Sequence, residues 1–378
     1  MLPRFQSVET CHPPLNGTEF KATSPNREGG GIMPQSTQVT RDTAVIWRLR
    51  DGRAGHENQV VGLSEAIARG CSAQFCDIYI NRGMRGLKCL LPNRLSFAQH
   101  FPAPDLLIGA GHSTHLPLLA LRRKFGGKIV VIMNPSLPTA SFDLCLIPAH
   151  DKVIFQRGNV IRTEGSLNRI QPTTQHDARN GIILIGGPSR HFVWSEECML
   201  KQILKVTQNN PIQWTLATSD RTPESFVRTW RSQMPRIPLF TSQECSSLWL
   251  PEQLAECGTC WVTCDSISMI YEALTAGTRV GLLELPAINH DRISRNIQRL
   301  CATGLTVTHS QWLAGRKLPM PVRPFSEANR CASRIIDRFL QPVLSTQQPC
   351  TLTACELGCG SSSDSNTLPS DSRFARFR

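Results

Sequence analysis

Two glycine-containing loops near the start of the chain carry side chains that could transfer protons. Residues 51–59 place Asp51 and His56 beside glycines that let a ligand approach the backbone. Residues 109–115 place His112 between glycine and hydroxyl residues that could cap a helix. Carboxylate and imidazole groups suit general acid–base catalysis, so we expect a catalytic base among Asp51, His56 and His112. Tight turns with ordinary helix-start residues are the alternative interpretation of both loops.

Two later segments have the composition of phosphate- and sugar-binding loops. The loop at 186–191 combines two glycines with Arg190, which could neutralise a diphosphate without a metal, although it is neither a P-loop nor a complete dinucleotide fingerprint. Residues 263–277 pass from a strand through an Asp-Ser turn into a helix. The helix start could meet a phosphate, and Glu272, six residues after Ser266, could meet sugar hydroxyls. A capped helix with an exposed glutamate is the alternative interpretation.

The elements that must position these loops alternate between short β-branched runs and helix-length amphipathic segments, the pattern of parallel α/β units. A polar stretch at 171–180 interrupts the series, and the ends at 1–41 and 343–378 are rich in Pro, Gly, Ser and Thr. We therefore predict two tandem doubly wound, Rossmann-like α/β domains, at 42–170 and 181–342, with a linker between them and disordered tails. Ligands of such sheets bind beyond the carboxyl ends of the strands, so we expect the site in the cleft between the domains.

Composition excludes several classes of protein. The 378 residues are 40% hydrophobic and 19% charged, so neither a wholly disordered chain nor a coiled coil fits. No apolar run approaches the roughly 18 residues of a membrane-spanning helix, and the sequence shows neither a secretory signal nor a transit peptide. The 15 cysteines are scattered through apolar segments, which indicates free thiols in a reducing compartment rather than disulfides or a metal site.

A net charge of +12 favours anionic partners, and one segment concentrates basic residues. Between Ile78 and Phe101, basic side chains are interleaved with leucines and there is no acidic residue. Such a segment could lie on an anionic membrane surface, and a solvated basic face is the alternative interpretation. Nucleic acid is not an expected partner, because no recognised binding motif accompanies the charge. The predicted membrane-facing residues are Arg82, Arg85, Lys88 and Arg94.

Five ordered motifs between about residues 44 and 340 resemble the mitochondrial fission Elm family. The motifs are Ile46–Gln59, Ile108–Gly111, Phe142–Asp151, Ile185–Arg190 and Val262–Met269. Bacterial members of that family are commonly labelled nucleoside-diphosphate-sugar epimerases, whereas the plant member is regarded as an adaptor that brings a dynamin-related protein to mitochondria. The family is similar in architecture to GT-B glycosyltransferases and to the non-hydrolysing UDP-sugar 2-epimerases.

The resemblance implies different roles for the two domains. In the wider GT-B group the second domain holds the nucleotide sugar, with a glycine-rich loop near the diphosphate and a helix carboxylate on the ribose. Cys264 stands where the family often has an acidic or small residue, which leaves the turn intact. The implied first-domain acceptor site involves Asp51, His56, His112 and His115. The implied nucleotide-sugar-binding residues are Gly186, Gly187, Ser189, Arg190, Asp265, Ser266 and Glu272.

The favoured hypothesis is a metal-independent, inverting glycosyltransferase of GT-B type that needs no cofactor beyond its nucleotide-sugar donor. It would be a cytoplasmic protein, peripheral on the inner membrane of a bacterium, acting on a lipid or envelope-glycan acceptor. The first alternative is a non-catalytic, membrane-associated adaptor with a protein partner, on the mitochondrial outer surface if the source is a eukaryote. The second alternative is a nucleotide-sugar epimerase, which needs no acceptor.

Overall fold

The computed structural model describes most of the chain between Thr43 and Leu340. The described residues are 43–80, 92–149, 151, 157–208, 211–289, 292–320 and 325–340. Outside them lie the predicted tails at 1–41 and 343–378, the membrane-facing candidates Arg82, Arg85 and Lys88, and the side chain of Arg94. Within the described part of the chain, no helix is both long enough and apolar enough to cross a bilayer.

The first domain is a six-stranded parallel sheet with helices packed on it. Its elements are β1 (Ala44–Arg50), α1 (Ala54–Gly70), β2 (Ala73–Tyr79), β3 (Leu106–Ala110), α2 (His115–Phe125), β4 (Lys128–Ile132), β5 (Leu144–Pro148) and β6 (Val160–Thr163). The strand order is β2-β1-β3-β4-β5-β6. Strands β3 and β4 are apolar along almost their whole length, because the inner strands of a parallel sheet are buried on both faces.

The second domain is also a six-stranded parallel sheet. Its elements are β7 (Asp177–Ile185), α3 (Glu196–Thr207), β8 (Gln213–Thr218), α4 (Glu224–Gln233), β9 (Leu239–Phe240), α5 (Trp249–Glu256), β10 (Cys257–Thr263), α6 (Ile267–Ala276), β11 (Arg279–Leu283), α7 (Arg292–Ala302), β12 (Val307–Thr308) and α8 (His309–Leu313). The strand order is β12-β11-β10-β7-β8-β9. A last helix, α9 (Glu327–Ile335), continues into a π-helical turn at Ile336–Leu340.

The topology confirms the predicted fold class of two tandem doubly wound units. In the first sheet the winding direction reverses between β1 and β3, and in the second it reverses between β7 and β10. At such a switch point the two loops that leave neighbouring strands diverge to opposite faces of the sheet, which opens a crevice. Ligand-binding residues are therefore expected in the loops that follow these four strands.

Two boundaries differ from the prediction. Strand β7 begins at Asp177, inside the stretch predicted as a linker, because Asp177 pairs with Cys257 of β10. The residues of helix α9 were predicted as part of the second domain, but the helix packs on α1 of the first. The apolar side of α9 explains this packing. It is buried in the same core cluster as Leu63 and Ile67 of α1, and it consists of Ala328, Cys331, Ala332 and Ile335.

Candidate active site

Asp51 and His56 form a hydrogen-bonded pair at the switch point of the first sheet. Asp51 follows β1, and its carboxylate, only 2% exposed, lies 2.9 Å from His56 Nδ1. Ser113, from the loop after β3, donates its hydroxyl to the same carboxylate oxygen at 2.7 Å. Burial raises the pKa of Asp51, but the hydrogen bonds from Ser113 and His56 outweigh it, and the pKa lies below its ordinary value. An ionised Asp51 favours the imidazole tautomer that carries its proton on Nδ1.

The position of His56 is fixed by both switch-point loops. His56 lies in the first turn of α1, and its ring packs against the backbone of Gly111. Gly111 has φ +80°, and a Cβ at this position would collide with the imidazole, so both conformation and space require glycine. Within the described part of the chain His56 Nε2 has no hydrogen-bond partner, and the side chain is 15% exposed. Nε2 is therefore available to accept a proton from a ligand.

The other two histidines named in the sequence analysis occupy different environments. His112 is exposed on a short 3₁₀ turn. His115 is buried, lies 3.1 Å through Nδ1 from Ser136 Oγ, and packs against the Phe142 ring. Burial, and secondarily the charge of His112, lowers the pKa of His115 to about 4. His115 is thus a neutral interior residue, which contradicts its expected place in an acceptor site.

The glycine loop of the second domain packs tightly against the Asp265–Ser266 turn. Gly186 N–H donates to Thr263 Oγ1 at 2.8 Å, and Gly187 N–H donates to Asp265 Oδ2 at 3.1 Å. A Cβ on Gly186 would collide with the side chains of Asp265 and Ser266, so only glycine permits this approach. The loops after β7 and β10 therefore form one unit at the switch point of the second sheet.

Arg221 completes this unit, and the sequence analysis did not identify it. It lies in the turn after β8, and its guanidinium contacts Asp265 Oδ2 at 2.7 Å and Ser266 Oγ at 2.9 Å. The Asp265 side chain is fully buried, whereas that of Arg221 is 43% exposed. Arg221 therefore neutralises a buried carboxylate, and its terminal nitrogens also donate to the Gly187 and Pro188 carbonyls. Its place directly after a strand was the one signal in the sequence.

The predicted residues Ser189 and Arg190 lie farther along the glycine loop. Ser189 Oγ accepts hydrogen bonds from the backbone N–H groups of His191 and Phe192, both at 3.2 Å, so it stabilises its own turn. Arg190 is exposed, and its Nε donates to His191 Nε2 at 3.1 Å. The Arg190 guanidinium is thus at the surface, whereas that of Arg221 is anchored on Asp265.

Glu272 lies at the interface of the two domains. It is buried on α6, and its Oε1 accepts a hydrogen bond of 2.7 Å from Asn58 Nδ2 of α1. Burial raises the pKa of Glu272 to about 7, and the hydrogen bond from Asn58 opposes that shift. Asn58 and His56 both lie in the first two turns of α1, so the hydrogen bond ties this end of α1 to the second domain. The interpretation of Glu272 as an exposed helix residue is excluded.

Comparison with known proteins identifies the family. The model of the mitochondrial fission ELM1 family matches residues 54–339. The chain belongs to this family. An uncharacterized protein of Rickettsia prowazekii is 25% identical to this ELM1-family chain in an alignment of 309 residues that covers 65% of this chain and 84% of the relative.

Solved structures share the two-domain GT-B arrangement with this ELM1-family protein. A putative UDP-N-acetylglucosamine 2-epimerase from Listeria monocytogenes is similar with a TM-score of 0.51 and 12% identity, over 78% of this chain and 95% of the other. A glycosyltransferase from Rickettsia africae has a TM-score of 0.45 and 9% identity, over 81% of this chain and all of the other. At 12% identity the likeness to the Listeria protein shows the fold alone. The predicted family and GT-B-like architecture are both confirmed.

Proposed function

We propose that this ELM1-family protein binds a nucleoside-diphosphate sugar in the cleft and transfers the sugar, with inversion, to an acceptor hydroxyl. The observation that carries the proposal is the hydrogen bond between Asn58 and Glu272. It joins a buried second-domain carboxylate to the first two turns of α1, the helix that carries His56 and begins just after Asp51. We therefore infer that a site for a nucleotide and a site for a general base lie on either side of the cleft.

The second domain offers separate groups for the ribose and for the diphosphate. Glu272 can accept hydrogen bonds from ribose hydroxyls, because the carboxylate has two acceptor oxygens. The N-terminus of α6, which follows Ser266, supplies unpaired backbone N–H groups and a positive dipole for a phosphate. Arg221 cancels the charge of Asp265, so the turn does not repel an anion. Gly186 and Gly187 let their loop pack closely against this turn, and Arg190 supplies a further cation.

His56 is the group best placed to act as the base. Its Nε2 would take the proton of the acceptor hydroxyl while that oxygen attacks the anomeric carbon and the bond to the diphosphate breaks. Ionised Asp51 would hold the ring and stabilise the imidazolium. Asp51 itself is a poorer base, because it is buried and already accepts two side-chain hydrogen bonds. His112 lacks a side-chain partner within the described residues. Arg190, Arg221 and the α6 dipole would stabilise the departing diphosphate without a metal.

A thermal-shift screen of the full chain against UDP, GDP, CMP, dTDP, ADP and their common sugars tests the proposal. A ligand that binds the native state raises the melting temperature by mass action, so we expect a selective shift with one nucleotide class. Glu272→Ala should abolish that shift, whereas Glu197→Ala, on the exposed side of α3, should keep it. The absence of a shift with every nucleotide would overturn the proposal and leave the non-catalytic adaptor as the explanation.

The acceptor class is part of the same proposal. The net charge of +12 favours an anionic acceptor surface, which supports a lipid-linked or envelope glycan. An epimerase would use the same donor site without an acceptor, and the Listeria protein with the same fold is described as a putative 2-epimerase. Incubation of the bound nucleotide sugar in deuterated water separates the two, because deuterium in the recovered sugar would show epimerisation.

A further inference from the structure

Helix α9 and the turn after it carry a row of arginines. The apolar side of this segment, which includes Cys331 and Ile335, packs into the first-domain core. On the other side Arg330, Arg334 and Arg338 follow one another at intervals of four residues, so they lie above one another along the helix. Like charges at this spacing repel each other and destabilise an isolated helix. The row therefore has an energetic cost that a bound anion would remove.

A cavity of about 380 Å³ lies between this row and the edge strand β6. This volume is within the range of small-ligand sites. Gly158 precedes β6, so the cavity reaches the amino end of the strand, whereas the donor cleft lies beyond the carboxyl ends. None of its lining residues belongs to the candidate active site. The cavity is lined by Gly158, Ile161, Arg330, Arg334, Asp337 and Arg338.

The guanidinium groups of Arg330 and Arg338 are positioned before any ligand binds. Arg330 donates to both oxygens of Glu327, at 2.9 and 2.6 Å, and to the Arg162 carbonyl at 2.7 Å. Glu327 also accepts the Glu164 N–H at 3.0 Å, so it is fully engaged. Arg338 donates to the Gly158 carbonyl at 3.1 Å through one nitrogen only. Positioned donors lose less side-chain entropy when they bind a ligand.

Positive charge exceeds negative charge in this cavity. Arg334 is exposed and makes no ion pair with any other described residue. Three arginines line the cavity together with the Asp337 carboxylate, and Glu327 pairs with Arg330, so three cations face two carboxylates. The planar N–H donors of guanidinium groups match the oxygens of a phosphate in a bidentate manner.

We propose that this arginine-lined cavity is a second anion site, which binds the phosphate of a phosphomonoester or diphosphate group. The phosphate can belong to a lipid headgroup or to a free diphosphate, because both present the same oxygens to the arginines. The site is separate from the donor cleft and does not depend on the proposed transferase activity.

Calorimetry with inorganic pyrophosphate and the full chain tests the site. The double variant Arg334→Ala/Arg338→Ala should weaken binding by about tenfold or more, because it removes two charge-assisted contacts. Arg228→Ala, on the exposed side of α4, is the matched control and should bind like the unmodified chain. Pyrophosphate can also occupy the donor cleft, so Arg221→Ala should lose any binding event in the cleft and keep the event that the double variant loses. An unchanged titration in the double variant would overturn the proposal.

Vesicle co-sedimentation distinguishes the two sources of phosphate. Vesicles of phosphatidylcholine with phosphatidylglycerol are compared with vesicles of phosphatidylcholine alone. Binding to the anionic vesicles that the double variant loses, and Arg228→Ala keeps, would identify a lipid headgroup. Pyrophosphate binding without vesicle binding would identify a free anion. If the double variant matches the unmodified chain in both assays, with an unchanged melting temperature, the cavity is not an anion site.

Discussion

Asn58 of the first domain and Glu272 of the second are joined by a hydrogen bond of 2.7 Å between Nδ2 and Oε1. The bond occupies one oxygen of the carboxylate that we assign to the ribose. Ribose hydroxyls that engage both oxygens would have to replace the Asn58 amide. In this arrangement the contact between the domains and the nucleotide compete for the same acceptor.

Replacement of Asn58 should therefore tighten nucleotide binding. Asn58→Ala removes the competing donor, and one hydrogen bond contributes about 1 kcal/mol net, so we expect the Kd to fall by about fivefold. Calorimetric titration with the nucleotide selected by the thermal-shift screen measures the change. Weaker binding in this variant would mean that Asn58 belongs to the nucleotide site and does not compete with it.

Glu65→Ala is the control for a general loosening of the protein. Glu65 is also on α1, and it forms a 2.7 Å ion pair with Arg169, in the segment between β6 and β7. The pair does not touch Glu272. If Glu65→Ala tightens nucleotide binding as much as Asn58→Ala does, competition at Glu272 is not the cause.

The titration of Glu272 should appear in the stability of the protein. Burial raises its pKa from 4.5 to about 7, so the folded state binds the proton more tightly than the unfolded state does. The stability associated with this proton is complete below about pH 4.5 and is lost as the pH rises through 7. Complete loss of this contribution lowers the free energy of unfolding by roughly 3 kcal/mol.

Glu272→Gln removes this pH dependence and keeps an oxygen that can accept from Asn58. We expect the variant and the unmodified chain to have similar melting temperatures near pH 4.5, and the variant to be more stable at pH 8. Thermal unfolding at intervals across this range measures the difference. Two curves that run parallel from pH 4.5 to 8 would show that Glu272 does not titrate there.

The sequence was sufficient for the fold and for part of the cleft. Strands such as β4 are continuous apolar runs, and glycines at 111, 186 and 187 marked the loops where the backbone must approach another group. The contacts of Asn58 and Arg221 could not be predicted, because each depends on a partner far away in the chain. The contact between Asn58 and Glu272 also requires the relative position of two domains, which local patterns do not encode.

The last helix shows the same limit. Its residues lie within the range 181–342 that the sequence assigned to the second domain, and no helix was predicted at 327–335. Both domains offer apolar surface, and α9 follows the second domain in the chain. Only the burial of Cys331 and Ile335 beside α1 assigns it to the first domain.

Arg221 and Arg190 should differ in their effect on stability, although both are proposed to face the diphosphate. Arg221→Ala leaves the fully buried Asp265 carboxylate without its cation, which should cost about 2–3 kcal/mol. Arg190→Ala removes an exposed side chain and should change stability by less than about 0.5 kcal/mol. Urea unfolding of both variants measures the difference. Equal stabilities would show that Arg221 does not neutralise a buried charge.

The assignment of His56 as base predicts a ranking of variants. His56→Gln should lower turnover by about 10²–10⁴-fold, the usual contribution of a positioned base. Asp51→Asn should also lower turnover strongly, because an amide cannot stabilise the imidazolium and favours the wrong tautomer. His112→Gln should stay within about twofold of the unmodified chain, since an exposed side chain without a partner is not oriented for proton transfer.

Release of the nucleoside diphosphate from the selected donor, in the presence of a membrane-lipid extract, gives the rate of turnover. Calorimetry on the same variants should give unchanged donor Kd values, which separates a loss of chemistry from a loss of binding. A collapse of turnover in His112→Gln with normal turnover in His56→Gln would transfer the role of base to His112.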